Sequence, residues 1–392
     1  MIKRVILDKA DRLYHFPFDL EDFFPRRTIK TAEKRVPTID LGHFRWPVEP
    51  QLPASGSDPF EIAGEHDLAA LKETLADWLS KEFGFRPDPR KELYISQGIR
   101  RIVFEVFQAF IEYGDVVLCP EPGVPFYRRL AISVCGVPVA YPISAKSNYK
   151  TPFTKLASNL GKAAKILIIN NPSNPFGTLL DETELAELLR LASKQNLFVI
   201  NDAAYCSLAE EKYVPLRSVR GGEKVGLEIF SIPFTFGLPY SPFGFAVGPP
   251  EVINGLEIIG KTIGRVIPKP WIDPAIKAIE GFPSEDLKKL NKRIDRSRHE
   301  AMHLIDKINC RHIGGQSGPF IWVKLPEKKQ SGTYAATLLR RRRILALPGT
   351  AFGTTGEGFI RLSLTAGPEE YKEALSRLSK RFTVRTKAGK GE

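Results

Sequence analysis

The chain has 392 residues, 43% hydrophobic and 26% charged, enough apolar matter for a large core and two domains, with the charge content of an ordinary globular protein. Its net charge of +12 is spread, apart from Arg340–Arg343 and a tail at 380–390. With no interleaved aromatics and no helix-turn-helix pattern, it reads as a solvated basic surface rather than a nucleic-acid site. No apolar run is long enough to span a bilayer and no internal repeat is present, so a membrane protein and a solenoid are excluded.

Residues 1–50 are rich in Pro, Phe and Arg and read as an extended arm ending in a short strand, IDLG, at 39–42. The basic N-terminus has no long apolar core or small-residue cleavage site, so no signal peptide is expected and the location is cytoplasmic. A polar Pro/Gly-rich loop fills 51–66. From 68 to 83, Leu68, Leu71, Leu75, Trp78, Leu79 and Phe83 recur at helical spacing. A second helix is predicted over 99–113, stopped at Gly114. Then come a buried strand at 116–119, a strand at 165–170 and a helix over 181–195 that opens D-E-T-E, pairing Asp181 as cap with Glu184. Strands follow at 197–201, 226–231 and 243–248, the last two separated only by a loop. The four cysteines have no C-x-x-C spacing and read as reduced thiols, with neither disulfide nor metal.

Strands alternating with helices predict an α/β fold with a mostly parallel sheet covered on both faces, and ligands at the carboxyl ends of its strands. After about 275 the pattern changes to a long charged helix over 284–308, a strand at 320–325, a helix over 334–342, strands at 344–347 and 359–364, and a last helix from Pro368 to about 378. The expected organisation is an arm (1–50) packing on the small domain or a partner subunit, a large α/β domain (51–280) and a small α+β domain (281–392).

The stretch 231–245 reads SIPFTFGLPYSPFGF. It resembles the cofactor-attachment loop of the aspartate aminotransferase superfamily, S-F-S-K-T-F-G-L-P-G-x-R-x-G-Y. Ser231, Thr235, Phe236, Gly237, Leu238, Pro239 and Gly244 match, while Phe234 stands at the lysine position and Pro242 at the arginine position. Further segments resemble the family in order: YISQGIRR through YGD (94–115), PEPGVPFY (120–127), NPSNPFG (171–177), NDAAY (201–205) and LPGTAFG…GFIRLSL (347–364). The run GDVVLCPEPG is most similar to the diaminopimelate and alanine aminotransferase branch. The resemblance covers roughly 35–380. It implies a class I/II aminotransferase of fold type I, with a mostly parallel seven-stranded sheet between helices, and pyridoxal or pyridoxamine phosphate as cofactor.

The resemblance also implies roles for single residues. Asp202 matches the aspartate that keeps the cofactor's ring nitrogen protonated. Asn174 and Tyr205 match the donors to the ring's phenolic oxygen, Asn174 also facing the substrate. Arg361, in a strand of Phe, Ile and Leu, needs an anionic partner because a lone buried charge is costly, and it matches the arginine that grips the substrate carboxylate. Gly98, Ile99 and Arg100 open a helix whose N-terminus favours the phosphate, with Ile99 at the family's hydroxyl position. Ser231 matches a phosphate-binding serine. Pro242 replaces a phosphate-binding arginine and has no N–H to donate. Val124 stands where an aromatic stacks on the ring, and Pro59 or Phe60 where a tyrosine of the neighbouring subunit reaches the phosphate. The family's lysine forms the Schiff base and then shuttles a proton, and Phe234 can do neither. The nearest lysines in sequence, Lys224 and Lys261, sit at a strand entrance and on a surface helix.

The expectation is an aminotransferase-like protein that does not transaminate normally, with no catalytic lysine. It would be a non-catalytic or regulatory homologue binding an amino acid, or a pyridoxal or pyridoxamine phosphate adduct held without a covalent bond. The alternative is pyridoxamine-phosphate-dependent amino transfer, weak or altered, between an amino acid and a 2-oxo acid. His43, after the IDLG strand, is a candidate base for it; otherwise His43 is a surface histidine beside Phe44 and Trp46. A homodimer is expected, or a heterodimer with an active paralogue.

Overall fold

A computed structural model describes residues 37–46, 58, 61–152, 164–209, 211–315 and 317–379. The N-terminal arm before 37 and the basic tail from 380 lie outside the described residues, as do Pro59 and Phe60.

In chain order the strands are β1 (Ile39–Asp40), β2 (Leu93–Ser96), β3 (Val116–Glu121), β4 (Val137–Pro142), β5 (Ala164–Asn170), β6 (Phe198–Asp202), β7 (Gly226–Ser231), β8 (Gly244–Val247), β9 (Arg311–Ile313), β10 (Phe320–Lys324), β11 (Ile344–Leu345), β12 (Leu347–Pro348) and β13 (Phe359–Ser363). Seven form one sheet in the order β2-β8-β7-β6-β5-β3-β4. Its centre is parallel, and β8 runs antiparallel to both neighbours. This is the mixed, mostly parallel α/β architecture expected. The central strands read as continuous apolar runs because helices cover both faces. Ile166, Leu167, Ile168, Ile169, Val199 and Ile200 are all buried. A second sheet, β12-β13-β10-β9, is antiparallel, and β1 pairs in parallel with β11.

Three helices pack along the β2, β7 and β8 side of the large sheet. The helix α1 (Glu65–Phe83) buries Leu71, Leu75, Trp78 and Leu79 on one face and closes on Gly84 in the left-handed region, at φ 77°. The helix α2 (Gly98–Phe110) ends three residues before the predicted limit. There the Asp115 carboxylate accepts the Glu112 N–H at 2.9 Å and holds a turn that competes with continued helix. The third, α3 (Ile232–Phe236), fills what the sequence suggests is only a loop between β7 and β8. Ser231 caps its start, Pro233 sits in its first turn, and Gly237 ends it at φ 69°.

Other boundaries shift by a residue or two. The helix Glu182–Gln195 carries the predicted box: Asp181 accepts the Glu184 N–H at 2.8 Å, and Glu184 accepts the Asp181 N–H at 2.9 Å. The predicted strand 344–347 divides at Ala346, so that β11 joins β1 while β12 joins β13. The sequence pattern reveals neither β4 nor the helices Phe126–Ser133 and Ile272–Glu280. All four cysteines are free thiols, with Cys119, Cys206 and Cys310 buried.

Candidate functional site

The carboxyl ends of β5, β6 and β7 carry Asn170, Asp202 and Ser231 to one edge of the large sheet. A cavity of about 830 Å³ opens there, roofed by residues of β10, β12, β13 and the turn after β1. Asn174, Asp202, Tyr205, Ser231, Ile99, Arg100, Val124, Phe234 and Arg361 all line it, so segments far apart in sequence do converge. Gly98 and Pro242 are not among its lining residues. Gly98 instead adopts φ 80° behind Ile99, with β8 packed against it. A Cβ on Gly244 would lie 3.0 Å from Gly98 Cα and 3.0 Å from the Phe230 carbonyl, so the match at Gly244 reflects a close backbone approach.

Asp202 is buried at the end of β6. Its Oδ2 accepts the Tyr127 hydroxyl at 2.6 Å, and its Oδ1 accepts the Ala204 N–H at 3.0 Å. Burial pushes its carboxyl up to about 6, with Tyr127 and Ala204 opposing the shift. Asn170 ties the neighbouring strands together. Its Nδ2 donates to the Asp202 carbonyl at 2.8 Å, and its Oδ1 accepts the Asn174 N–H at 2.7 Å. Asn174 is thereby aimed at Arg361, whose Nη1 donates to Asn174 Oδ1 at 3.1 Å.

Arg361 is 3% exposed. Its Nη2 donates to the Gly42 carbonyl at 2.7 Å, and its guanidinium lies 3.7 Å from the Phe320 ring centroid and 5.0 Å from that of Phe352. Its Nε has no partner, and it makes no ion pair among the described residues. Burial lowers the guanidinium to about 10. A buried cation with an orphaned donor on a cavity wall is a site for an anionic group. Burial likewise raises the Tyr205 hydroxyl to about 12.

The phosphate side is less polar. Ile99 and Arg100 face the cavity from the first turn of α2, and Arg100 lies over the Phe126 ring at 5.3 Å. Ser231 Oγ accepts the Phe234 N–H at 3.5 Å as the cap of α3. Phe234 belongs to an aromatic wall, with its ring centroid 4.7 Å from Phe44, 5.3 Å from Tyr205 and 5.7 Å from Trp46, the last stacked. No lysine lines the cavity among the described residues. Lys224 is in the short helix Gly222–Val225, and Lys261 is in Pro250–Thr262 beside a different pocket.

Sequence reasoning missed three features. It did not pair Tyr127 with Asp202. It did not join Phe44 and Trp46 to Phe234, because that contact spans about 190 residues. It left His43 open, whereas His43 lines the cavity with its Nδ1 3.0 Å from Asp40 Oδ2. The legible signal was the spacing D-x-x-H at a strand end: Asp40 Oδ1 accepts the N–H groups of Gly42 and His43 at 2.9 and 3.1 Å, a turn that brings the ring back to its own carboxylate. Burial alone would raise the Asp40 carboxyl. The hydrogen bond and charge of His43, with the two backbone donors, together hold it below the usual carboxylate range.

The donor set fits a pyridoxal or pyridoxamine phosphate adduct held without a covalent bond. Asp202 offers a buried acid to a ring nitrogen, Asn174 and Tyr205 offer polar groups beside it, and the orphaned Nε of Arg361 suits a carboxylate. It does not fit attachment through a lysine.

Comparison with known proteins agrees with the fold. A family model described as aminotransferase class I and II matches residues 46–378. The LL-diaminopimelate aminotransferase of Halothermothrix orenii is 29% identical over 309 residues, covering 78% of this chain and 79% of that protein. The Aquifex aeolicus enzyme of the same name is 27% identical over 380 residues, covering 94% and 98%. Among solved structures, substrate-bound BacF from Bacillus subtilis superposes with a TM-score of 0.86 at 20% identity, covering 95% of this chain and 98% of that one. An aromatic aminotransferase from Pyrococcus horikoshii gives 0.77 at 22% identity, covering 89% and 97%. At such identities the structures speak for the fold alone. No helix among the described residues is long and apolar enough to cross a membrane.

Proposed function

This chain belongs to the class I and II aminotransferases, a pyridoxal-phosphate-dependent family, and from that premise we propose that it has left lysine-based transamination while keeping a ligand pocket. It holds an amino acid, or a pyridoxal or pyridoxamine phosphate adduct, without a covalent bond, as a non-catalytic or regulatory homologue. The observation that carries this is the cavity wall at Phe234, where an aromatic cluster stands at the lysine position of the attachment loop. A phenyl ring cannot condense with an aldehyde or carry a proton.

What remains suits binding. Arg361 would hold a carboxylate, with Asn174 fixing its plane. Asp202 would face a protonated ring nitrogen, steadied by Tyr127. Asn174 and Tyr205 would face the phenolic oxygen. The first turn of α2 (Gly98, Ile99, Arg100), with Ser231, would face the phosphate, more weakly than a cup rich in hydroxyls because Ile99 donates only through its backbone. When bound, the cofactor ring supplies an electron sink. We include in this proposal a cytoplasmic protein that pairs with itself or with an active paralogue, for which sedimentation of the full chain is the test.

Absorbance spectroscopy with added pyridoxal phosphate tests the main claim. The wild type should give no borohydride-reducible lysine adduct, and Phe234→Lys should give one. A reduced adduct mapped to any lysine of the wild-type cavity would sink the proposal. No adduct in Phe234→Lys would mean that the phosphate side no longer holds the cofactor.

A second function has one observation in its favour. The Asp40–His43 pair on the cavity wall suits pyridoxamine-phosphate-dependent amino transfer, weak or altered, between an amino acid and a 2-oxo acid. An amino donor and 2-oxo acid that react no faster with the protein than in solution would remove it.

A further inference from the structure

The cavity without a lysine contains another group equipped to move a proton. We infer that His43, oriented by Asp40, is the proton-transfer group of this pocket, exchanging the Cα proton of an amino-acid adduct held there. This rests on the second function above and on non-covalent binding of the adduct.

Three observations carry it. First, the imidazole is oriented. Asp40 is locked by three contacts in one turn: its Oδ1 takes the N–H groups of Gly42 and His43, and its Oδ2 takes the ring Nδ1 at 3.0 Å. A carboxylate on Nδ1 fixes the tautomer with the proton there and leaves Nε2 as the basic lone pair. Second, the side chain is on the cavity wall and about one-third exposed, which puts the imidazole within reach of both ligand and solvent. Third, the chain neighbours of His43 reach both ends of the reacting position. Gly42 offers its carbonyl to Arg361, the candidate carboxylate anchor, at 2.7 Å. The Phe44 ring packs 4.7 Å from that of Phe234, at the family's lysine position. An amino acid whose carboxylate lies on Arg361 carries its Cα one bond further on, inside the cavity that Arg361 and His43 both line.

The balance is simple. A bound pyridoxal ring lends the Cα–H an acidity that it lacks in water. His43 Nε2 would take the proton as the Cα–H bond breaks, the bound pyridoxal ring being what would supply the sink for the electron pair. The Nδ1 proton stays on the ring nitrogen, hydrogen-bonded to Asp40, which stabilises the imidazolium. That imidazolium exchanges its Nε2 proton with solvent and returns one to Cα. No oxidant or further reactant is required. Asp40 is a positioning residue.

The test uses the full chain with pyridoxal phosphate and L-alanine deuterated at Cα, following wash-out of the label by NMR against the protein-free rate. Affinity for the reduced phosphopyridoxyl-alanine adduct is measured in parallel. Wild type should exceed the solution rate. His43→Gln should lose on the order of 100-fold or more of the excess, with adduct affinity kept within about threefold. In the unloaded protein, ¹⁵N spectra should give the Nδ1–H tautomer for the neutral ring of His43, and Asp40→Asn should weaken that preference. Exchange unchanged in His43→Gln overturns the assignment. A wild type that binds the adduct yet exchanges at the solution rate also overturns it, and leaves the non-catalytic function standing. No adduct binding at all removes both this inference and the binding proposal beneath it.

Discussion

Replacing Arg361 with methionine separates a ligand-binding cation from a structural one. In the unloaded protein burial lowers the guanidinium from its ordinary value to about 10. At about 1.4 kcal/mol per pH unit, that depression amounts to roughly 3 kcal/mol of unfavourable burial. Methionine removes this cost and keeps much of the packing on Phe320 and Phe352. It also leaves two acceptors, Asn174 Oδ1 and the Gly42 carbonyl, without their donors, at roughly 1–3 kcal/mol each. The terms oppose, so the unloaded variant should stay within about 3 kcal/mol of wild type. With a carboxylate ligand the balance changes, because breaking a buried charge pair costs about 3–5 kcal/mol. Affinity for phosphopyridoxyl-alanine, measured by calorimetry, should therefore fall at least ~100-fold. The sign with pH can be worked out. A cation depressed in the folded state binds fewer protons than in the unfolded chain from about pH 10 up to the ordinary guanidinium value, so this group's contribution to stability rises with pH across that window. A variant that binds the adduct like wild type but loses several kcal/mol of stability would make Arg361 a structural residue and refute the reasoning.

Three other perturbations have definite outcomes. Tyr127→Phe removes a hydrogen bond that holds the Asp202 carboxyl down, so the pH midpoint at which adduct affinity is gained should move above about 6, read from affinity against pH. Glu228, buried under the hydroxyl of Tyr213, the N–H of Leu216 and the amide of Asn201, is raised from 4.5 to about 7 by burial. The folded state therefore binds more protons than the unfolded chain across that range. Stability should fall as pH rises from about 4.5 to 7, and Glu228→Gln should flatten the slope of Tm against pH. Gly244→Ala sets a methyl 3.0 Å from backbone atoms on two sides, and should cost roughly 1–3 kcal/mol in urea unfolding. An unchanged midpoint would mean that β8 can move away from Gly98 and from β7.

Much was legible in the order of residues alone. The fold class follows from alternating apolar strands and helices, because period and punctuation are local properties of the chain. The box at Asp181 and Glu184 formed as expected, since a cap needs only residues three apart. The convergence of Asn174, Asp202 and Ser231 was also foreseeable, because the ends of parallel strands share one edge, whereas Arg361 reaches the cavity from β13 of the antiparallel sheet.

Other features depended on contacts that sequence spacing does not encode. The end of α2 was set by a side chain of the next turn, Asp115, against apolar periodicity that runs on. The strand at 344–347 was divided by competition between two partners, β1 and β13. His43 looks from its neighbours like a surface histidine, yet the pairing of β1 with β11 carries it to the cavity, where Asp40 orients it. The sequence by itself determined the α/β architecture and the family, because those are written in order and residue type. Only the tertiary structure decided what shares the cavity with Phe234: an aromatic wall, a buried arginine with one donor unsatisfied, and a histidine paired to a carboxylate. Packing joins segments hundreds of residues apart, and burial then sets which charges need a ligand.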